Sequence, residues 1–162
     1  MPKRHSSAAD ETPAGHLHEA QLQQIVGYQL AQATIATNEV FTTQVGEPMG
    51  LRRVEYTLLT LIQQNPECTP ARLARALDVT APNITMWIAK LQERGWVLRE
   101  QHQTDKRSHH VRLSARGARL VAEATQRLID GERATLTRLS PAERAILIEL
   151  LHKVACCRPG SA

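Results

Sequence analysis

One segment near the middle of the chain constrains the fold most, because it describes two short helices separated by only a few residues. Thr69 and Pro70 supply an N-cap followed by proline at the first helical position, which predicts a helix over residues 70–77. The next three residues form a turn. A second helix over residues 81–94 ends at Gly95, since glycine readily takes the left-handed conformation that stops a helix. Two short helices joined by a tight turn are typical of a helix-turn-helix.

Both predicted helices have one face that can be buried, because their apolar residues recur every three or four positions. Thr80 is the predicted N-cap of the second helix. The inward positions are Leu73, Ala74 and Leu77 in the first helix and Ile84, Ile88 and Leu91 in the second.

Directly after Gly95, the spacing at which residues of one face recur changes from the helical three or four positions to two. Val97 and Arg99 alternate with Leu98 and Glu100. Further along, Val111 and Leu113 alternate with His110 and Arg112. A polar stretch separates the two runs. This pattern predicts a two-stranded antiparallel ribbon with a long charged loop at its tip, which is a wing after the helix-turn-helix.

Helical periodicity extends on both sides of these elements. Gly46, Pro48 and Gly50 are expected to break the chain after the first of these helices, and Gly131 is expected to interrupt the third. A capping box at Ser140 and Glu143 opens the last one. The predicted flanking helices cover residues 17–43, 51–64, 115–136 and 141–156.

The N-terminal helix and the two C-terminal helices carry more apolar surface than the central module needs for its core. On the last helix, one broad face consists of Ile146, Leu147, Leu150, Leu151 and Val154. Such surplus favours a helical dimer interface. For the N-terminal helix, a central core position in a monomer is the alternative.

The predicted fold is therefore mainly α with a small β-hairpin wing: a winged helix-turn-helix with N- and C-terminal dimerisation helices. Its expected parts are a disordered tail (1–15), an N-terminal dimerisation helix (16–46), the winged helix-turn-helix DNA-binding domain (51–114) and C-terminal dimerisation helices (115–157).

Positive charge is concentrated in one part of the chain. The formal net charge is +4, and residues 99–119 alone contain six Arg or Lys residues against two acidic ones. That stretch covers the predicted wing and the start of the next helix. Local concentration of positive charge favours a contact with a polyanion such as double-stranded DNA.

Several classes of protein do not fit the sequence. Three cysteines, Cys68, Cys156 and Cys157, give no disulfide framework, and no stretch has the character of a signal peptide or a membrane span. We find no glycine-rich phosphate loop and no nucleophile elbow, so neither an enzyme nor a cofactor is expected. The expected location is the cytoplasm, without membrane contact.

The order of elements resembles the MarR family of bacterial transcription factors. The stretch CTPARLARALDVTAPNITMWIAKLQERGWVLRE resembles the paired helices of the family, and TDKRSHHVRLSARG resembles its wing. Leu113, Ser114 and Gly117 match the residues that follow the wing. The resemblance implies a homodimer that represses transcription from a near-palindromic operator in double-stranded DNA and associates with the nucleoid when bound.

The resemblance and groove geometry together assign the recognition helix. The major groove admits an α-helix whose N-terminal side chains reach base edges. Asn83 is the best direct reader, because its amide can pair bidentately with adenine, and Pro82 and Met86 can contact a thymine methyl group. Met86 stands where many relatives have arginine, and packing is the alternative role for Met86 and Trp87. The full candidate set is Thr80, Ala81, Pro82, Asn83, Thr85, Met86 and Lys90.

The resemblance places the wing contacts on Asp105, Lys106, Arg107 and His109. It implies that Arg107 enters the minor groove while Asp105 orients the wing, and a narrow minor groove attracts an inserted arginine. A solvated charged loop is the alternative. Candidate phosphate contacts are Thr69, Arg72 and Arg75, near a helix N-terminus whose free amides favour anions.

The resemblance also implies a small aromatic or anionic effector, bound between the DNA-binding lobe and the dimer helices. Candidate lining residues are His18, Tyr28, Arg53 and Tyr56. Alternatives are a redox- or metal-responsive regulator of the same fold, and a winged-helix protein-interaction module that does not bind DNA. We expect inert thiols and no metal site, since the histidines near the wing, His102, His109 and His110, match no zinc pattern.

Overall fold

The computed structural model describes residues 11–66, 68–101 and 109–158, except for the side chains of residues 100, 101 and 109. Its main elements lie in the predicted order, with helices around one two-stranded sheet. This confirms a mainly α fold with a β-hairpin wing. Among the described residues, no helix is both long enough and apolar enough to cross a bilayer.

The N-terminal helix starts later and ends later than predicted. A short 3₁₀ turn, Ala20–Gln24, precedes α1, Val26–Phe41. The helical path then continues through a π-helical turn, Thr42–Gly46, into the single turn α2, Glu47–Met49.

The predicted chain break at Gly46 and Pro48 is therefore wrong. Pro48 lies in the first turn of α2, where a missing backbone N–H costs little. The preceding π-helical turn changes the hydrogen-bonding register before the proline is reached. Only Gly50 ends the path, with φ at +58° in the left-handed region.

The helix-turn-helix forms as the sequence predicts. α3 spans Arg53–Gln64, α4 spans Pro70–Leu77 and α5 spans Ala81–Glu93. The hydroxyl of Thr69 accepts from the backbone N–H of Arg72 at 3.3 Å, so the predicted cap of α4 is present. Thr80 occupies the N-cap position of α5, but its hydroxyl makes no capping hydrogen bond. Asp78, with φ at +54°, turns the chain between α4 and α5.

The wing consists of β1, Val97–Gln101, paired antiparallel with β2, His109–Leu113. Gly95, with φ at +71°, separates α5 from β1. Val97 and Val111 are buried, so one face of the ribbon packs on the core while the other faces solvent.

Two long helices complete the described chain: α6, Ala115–Thr135, and α7, Pro141–Ala155. The predicted caps are present, since Ser114 Oγ accepts from the Gly117 N–H at 3.0 Å and Ser140 forms a capping box with Glu143. The carboxylate of Glu143 accepts hydrogen bonds from Ser140, and these lower its pKa.

Gly131 does not interrupt α6, contrary to expectation. The helix runs through it, and the residue is buried against α1. A Cβ at this position would lie 2.7 Å from Gln44 Cγ and 3.0 Å from Val40 Cγ1. The missing side chain therefore allows α1 and its π-helical extension to approach α6 closely.

The core lies between the helix-turn-helix, the base of the wing and the middle of α6. Its largest fully buried side chains are Leu51, Leu58, Leu59, Ile62, Ile84, Leu91, Val45, Val97 and Val111. All three predicted inward residues of α5 are buried, as are Leu73 and Ala74 of α4, while Leu77 is partly buried.

α7 differs from the other α-helices of more than one turn because none of its residues is buried within this chain. Its exposed apolar side chains are Ile146, Leu147, Ile148, Leu150, Leu151 and Val154, each at least 40% exposed. An apolar helix face of this size normally packs against a partner. A single chain therefore leaves uncovered the surface that the sequence predicts to be a dimer interface.

Candidate DNA-binding surface

The N-terminal half of α5 presents the predicted recognition side chains together. Ile84 and Ile88 point into the core, which fixes the rotation of the helix and turns its other side to solvent. Along this exposed side lie Ala81, Pro82, Asn83, Thr85, Met86 and Lys90. Trp87 packs partly buried against the core, as the packing alternative for that residue predicts.

The chemistry of this exposed side suits base edges. Asn83 makes no side-chain hydrogen bond to the other described residues, so both its donor and its acceptor remain available. The Thr85 hydroxyl donates to the Ala81 carbonyl at 3.0 Å and keeps its lone pairs free to accept. Met86 is 44% exposed and offers an apolar contact. Lys90 lies seven residues beyond Asn83, about 10 Å further along the axis at 1.5 Å per residue.

α4 adds positive charge next to α5. Arg72 and Arg75 are both exposed, and Thr69 caps the first turn of the helix. The two helices pack directly on each other. The three candidate phosphate contacts are thus on the helix that precedes the recognition helix.

The wing tip lies outside the described residues. Asp105, Lys106 and Arg107 fall there, as does His102, and of His109 only the backbone at the start of β2 is described. The ribbon that carries the tip is fixed by the pairing of Gln101 with His109. The roles of the wing residues therefore remain predictions.

An ionic cluster around the buried Glu55 carboxylate, which pairs with the exposed Arg52 guanidinium at 3.2 Å, supports the junction of α5 and the wing. Glu55, only 3% exposed, accepts from the Arg52 backbone N–H at 2.9 Å and from Arg94 Nη1 at 3.3 Å. Arg94, the C-cap of α5, also donates to the Gly50 carbonyl at 2.9 Å, and its guanidinium lies 3.6 Å from the Trp96 ring centroid.

Sequence reasoning did not identify Glu55 or Arg94. The available signal is the position of Glu55 at N3 of α3, where a glutamate can complete a capping box. Its pairing with a residue 39 positions away depends on tertiary packing.

An open cleft of about 490 Å³ lies between α1 and the start of α3. Its walls include Asn38, Phe41 and Thr42 on one side and Gly50, Arg52 and Arg53 on the other. The guanidinium of Arg53 lies 5.0 Å from the Phe41 ring centroid. The cleft thus offers a cation beside an aromatic ring.

The four candidate effector residues do not lie together within one chain. Arg53 and Tyr56 both contact Phe41, and the Tyr56 hydroxyl is 2.9 Å from Thr125 Oγ1. Tyr28 is thirteen residues before Phe41, about 20 Å away along α1 at 1.5 Å per residue.

Tyr28 belongs to a separate contact at the N-terminal end of α1. Its hydroxyl donates to Glu19 Oε1 at 3.1 Å, and partial burial together with this carboxylate raises the pKa of Tyr28. His18 is exposed in the segment that precedes the 3₁₀ turn.

The cysteines occupy two different settings. Cys68 is buried, and burial raises the pKa of its thiol despite the opposing effect of Arg72. A raised pKa lowers the thiolate fraction and therefore the reactivity. Cys156 and Cys157 are exposed at the end of α7. Within the part of the chain that the structure describes, no three His, Cys, Asp or Glu residues are grouped so that they could hold a metal ion.

Comparison with known proteins places these features in context. A model of the MarR family matches residues 51–109, which run from the start of α3 to the wing. The chain is 32% identical over 109 residues to the HTH-type transcriptional repressor Rv2887 of Mycobacterium tuberculosis, covering 66% of this chain and 77% of the relative. It is 29% identical over 129 residues to a putative transcriptional regulatory protein for the hcr operon of Thauera aromatica, covering 80% and 78%.

A solved structure shows the same architecture on DNA. The transcriptional repressor CouR, bound to a 23-mer DNA duplex, superposes with a TM-score of 0.77 at 26% identity, covering 86% of this chain and 98% of CouR. The likeness extends beyond the helix-turn-helix to the flanking helices.

Proposed function

This chain belongs to the MarR family of transcriptional regulators, and we propose that it is a ligand-responsive repressor that binds a near-palindromic operator as a homodimer. The observation that carries the proposal is the exposed side of α5, where Asn83, Thr85 and Met86 lie next to the basic helix α4. Members of this family are DNA-binding proteins rather than enzymes. The proposed place of action is the bacterial cytoplasm, with association with the nucleoid during DNA binding.

DNA recognition combines two kinds of contact. Asn83 is the proposed base reader, with Thr80, Ala81, Pro82, Thr85 and Met86 beside it, while Thr69, Arg72, Arg75 and Lys90 contact phosphates. The wing contacts the adjacent minor groove or the DNA backbone through Lys106, Arg107 and His109, and Asp105 orients the wing. The CouR complex supports this proposal, because a chain of the same fold is bound to a DNA duplex there.

Homodimerisation supplies a second recognition helix. The exposed face of α7 covers its counterpart in a two-fold dimer, which removes its apolar side chains from water. Two α5 helices in such a dimer read half-sites about 34–36 Å apart, one turn of the double helix.

The proposed effector is a small aromatic carboxylate. Arg53 supplies a cation and Phe41 an aromatic ring in one cleft, and its volume lies within the range of small-molecule sites. Tyr56 shapes the back of this site through its contact with Phe41. His18 and Tyr28 take part only if the partner subunit brings its own N-terminal segment to the cleft.

Replacement of Asn83 by alanine tests base reading. We expect an affinity loss of about 1–3 kcal/mol for a duplex that the wild-type protein enriches from a random-sequence library, with little change for unrelated DNA. Fluorescence anisotropy with both duplexes measures this. Gln92→Ala is the matched control, since it shortens an amide nine residues away on the same helix. An equal loss on both duplexes would remove Asn83 from base recognition.

Replacement of Arg107 by alanine tests the wing. We expect weaker binding to the enriched duplex and a salt dependence reduced by about one ion, because one cationic contact is lost. Fold and dimer should persist. Arg138→Ala, which removes the same charge between α6 and α7, should leave the salt slope unchanged. A wild-type slope for Arg107→Ala would exclude this residue from the DNA contact.

A further inference from the structure

Arg94 contacts three parts of the molecule that the proposed function uses. It is the C-cap of α5, so its backbone closes the recognition helix. Its guanidinium lies over the Trp96 ring, where the chain enters the wing. The same guanidinium donates to the Gly50 carbonyl and to the Glu55 carboxylate.

Gly50 and Arg52 form part of the wall of the cleft. Arg94 Nη2 donates directly to the Gly50 carbonyl at 2.9 Å. The Arg52 N–H and Arg94 Nη1 both donate to Glu55 Oε2, at 2.9 and 3.3 Å. Two backbone groups of the wall are therefore tied to Arg94, one directly and one through a single shared oxygen.

The buried carboxylate makes this connection stiff. Glu55 is 3% exposed, so water cannot replace a lost donor. A buried charge that loses its partners is strongly disfavoured, and the Glu55 carboxylate is paired with Arg94 Nη1 at 3.3 Å and with the guanidinium of the wall residue Arg52 at 3.2 Å. A shift of the wall thus displaces Glu55 and Arg94 together.

Trp96 extends the connection into the wing. Its ring is buried under Arg94, and its carbonyl accepts from the Ser114 N–H at 2.9 Å at the end of β2. Val97, the first residue of β1, follows directly. A displacement of Arg94 therefore acts on the end of α5 and on the base of the wing.

We propose that Arg94 is the positioning residue that couples the cleft to the DNA-binding surface. An occupant that moves the wall segment at Gly50 and Arg52 changes, through Arg94, the angle at which α5 and the wing reach DNA. This inference rests on the proposed function, and it adds the route by which occupancy of the cleft reaches the recognition helix. Packed elements with two arrangements transmit small shifts in this way.

A substitution that fills the cleft tests the coupling without an effector. Asn38→Trp places an indole from α1 against the wall, and Asn38→Ala is its control, because it leaves the cleft empty. Thr42→Phe fills the same cleft from the next turn and serves as a second variant. Fluorescence anisotropy measures the affinity of each protein for the duplex that the wild type enriches. We expect the filled cleft to weaken binding about tenfold, within the usual range of coupling between sites.

The same substitutions are then made in two altered backgrounds. Arg94→Met keeps an unbranched side chain over Trp96 but loses every hydrogen bond of the guanidinium. Glu55→Gln retains an acceptor for the Arg52 N–H and loses the charge that pairs with the guanidinium groups of Arg94 and Arg52. In both backgrounds we expect filling the cleft to change DNA affinity less than twofold. The comparison isolates the coupling between Arg94 and the cleft. If the background substitutions only lowered stability, filling the cleft would still weaken DNA binding tenfold.

A tenfold loss on filling the cleft in all three backgrounds would overturn the role of Arg94. No loss in the wild-type background, with either filling variant, would overturn the coupling itself. Both results differ from a failure of the proposed function, in which the wild-type protein would enrich no duplex.

Discussion

Replacement of Leu150 by aspartate is expected to dissociate the dimer and to weaken operator binding at least 100-fold. Leu150 is 51% exposed at the centre of the apolar face of α7, between Ile146 and Val154. Burial of a leucine side chain contributes about 1.5–3 kcal/mol, and a two-fold interface contains the residue twice. An aspartate at the same place adds the cost of burying an unpaired charge.

DNA binding weakens because the monomeric variant has only one recognition helix. Joining two binding modules raises overall affinity by about 10²–10⁴ through effective concentration, without any new contact. Light scattering should give twice the chain mass of 18.0 kDa for the wild type and a single mass for the variant.

His152→Asp is the matched control for this variant. It introduces the same side chain two residues further along α7, on the opposite side of the helix from Leu150. The control should remain dimeric and bind the enriched duplex as the wild type does. A dimeric Leu150→Asp protein with undiminished DNA affinity would show that α7 does not form the interface.

Replacement of Gly117 by alanine is expected to destabilise the folded chain by about 3 kcal/mol, the upper end of ordinary overpacking. A Cβ at this position would lie 2.2 Å from the Trp96 carbonyl oxygen, a backbone atom that cannot rotate away. The same carbonyl accepts from the Ser114 N–H, so its displacement also disturbs the start of α6. Thermal unfolding followed by circular dichroism should show a Tm about 10 °C lower.

Gly27→Ala separates this clash from a general effect of glycine replacement. Gly27 lies within α1, and a Cβ there meets no atom within 4 Å. Alanine is the better helix former, so the control should be neutral or slightly stabilising. Equal Tm values for the two variants would contradict the close packing of α6 on the base of the wing.

The helix-turn-helix was predictable because its signals are local. Thr69, Pro70 and Gly95 each fix a helix end through backbone chemistry that acts within a few residues. The wing was predictable because its residue period changes to two, and Val97 and Val111 pack inward as that alternation requires.

The misplaced breaks have a common cause. Local preferences alone predict breaks at Gly46, Pro48 and Gly131. Pro48 lies in a first helical turn, and Gly131 is required by the close approach of α1 to α6. The role of Gly131 depends on residues about 90 positions away, which a local pattern does not contain.

In the candidate site, too, features set by local pattern could be predicted, while contacts between distant parts of the chain could not. The exposed side of α5 followed from helical periodicity once Ile84 and Ile88 were assigned to the core. The cluster of Glu55, Arg94 and Gly50 could not be predicted, because its members meet only after α3 packs beside the end of α5.

The most direct measurement is selection of DNA from a random-sequence library by the purified wild-type protein, followed by hydroxyl-radical footprinting of the enriched duplex. Two dyad-related half-sites are expected, with protected segments whose centres lie about 10 base pairs, or a multiple of that, apart. Enrichment of no sequence, or of one isolated half-site with a single protected segment, would contradict a dimeric repressor that reads successive turns of DNA through α5.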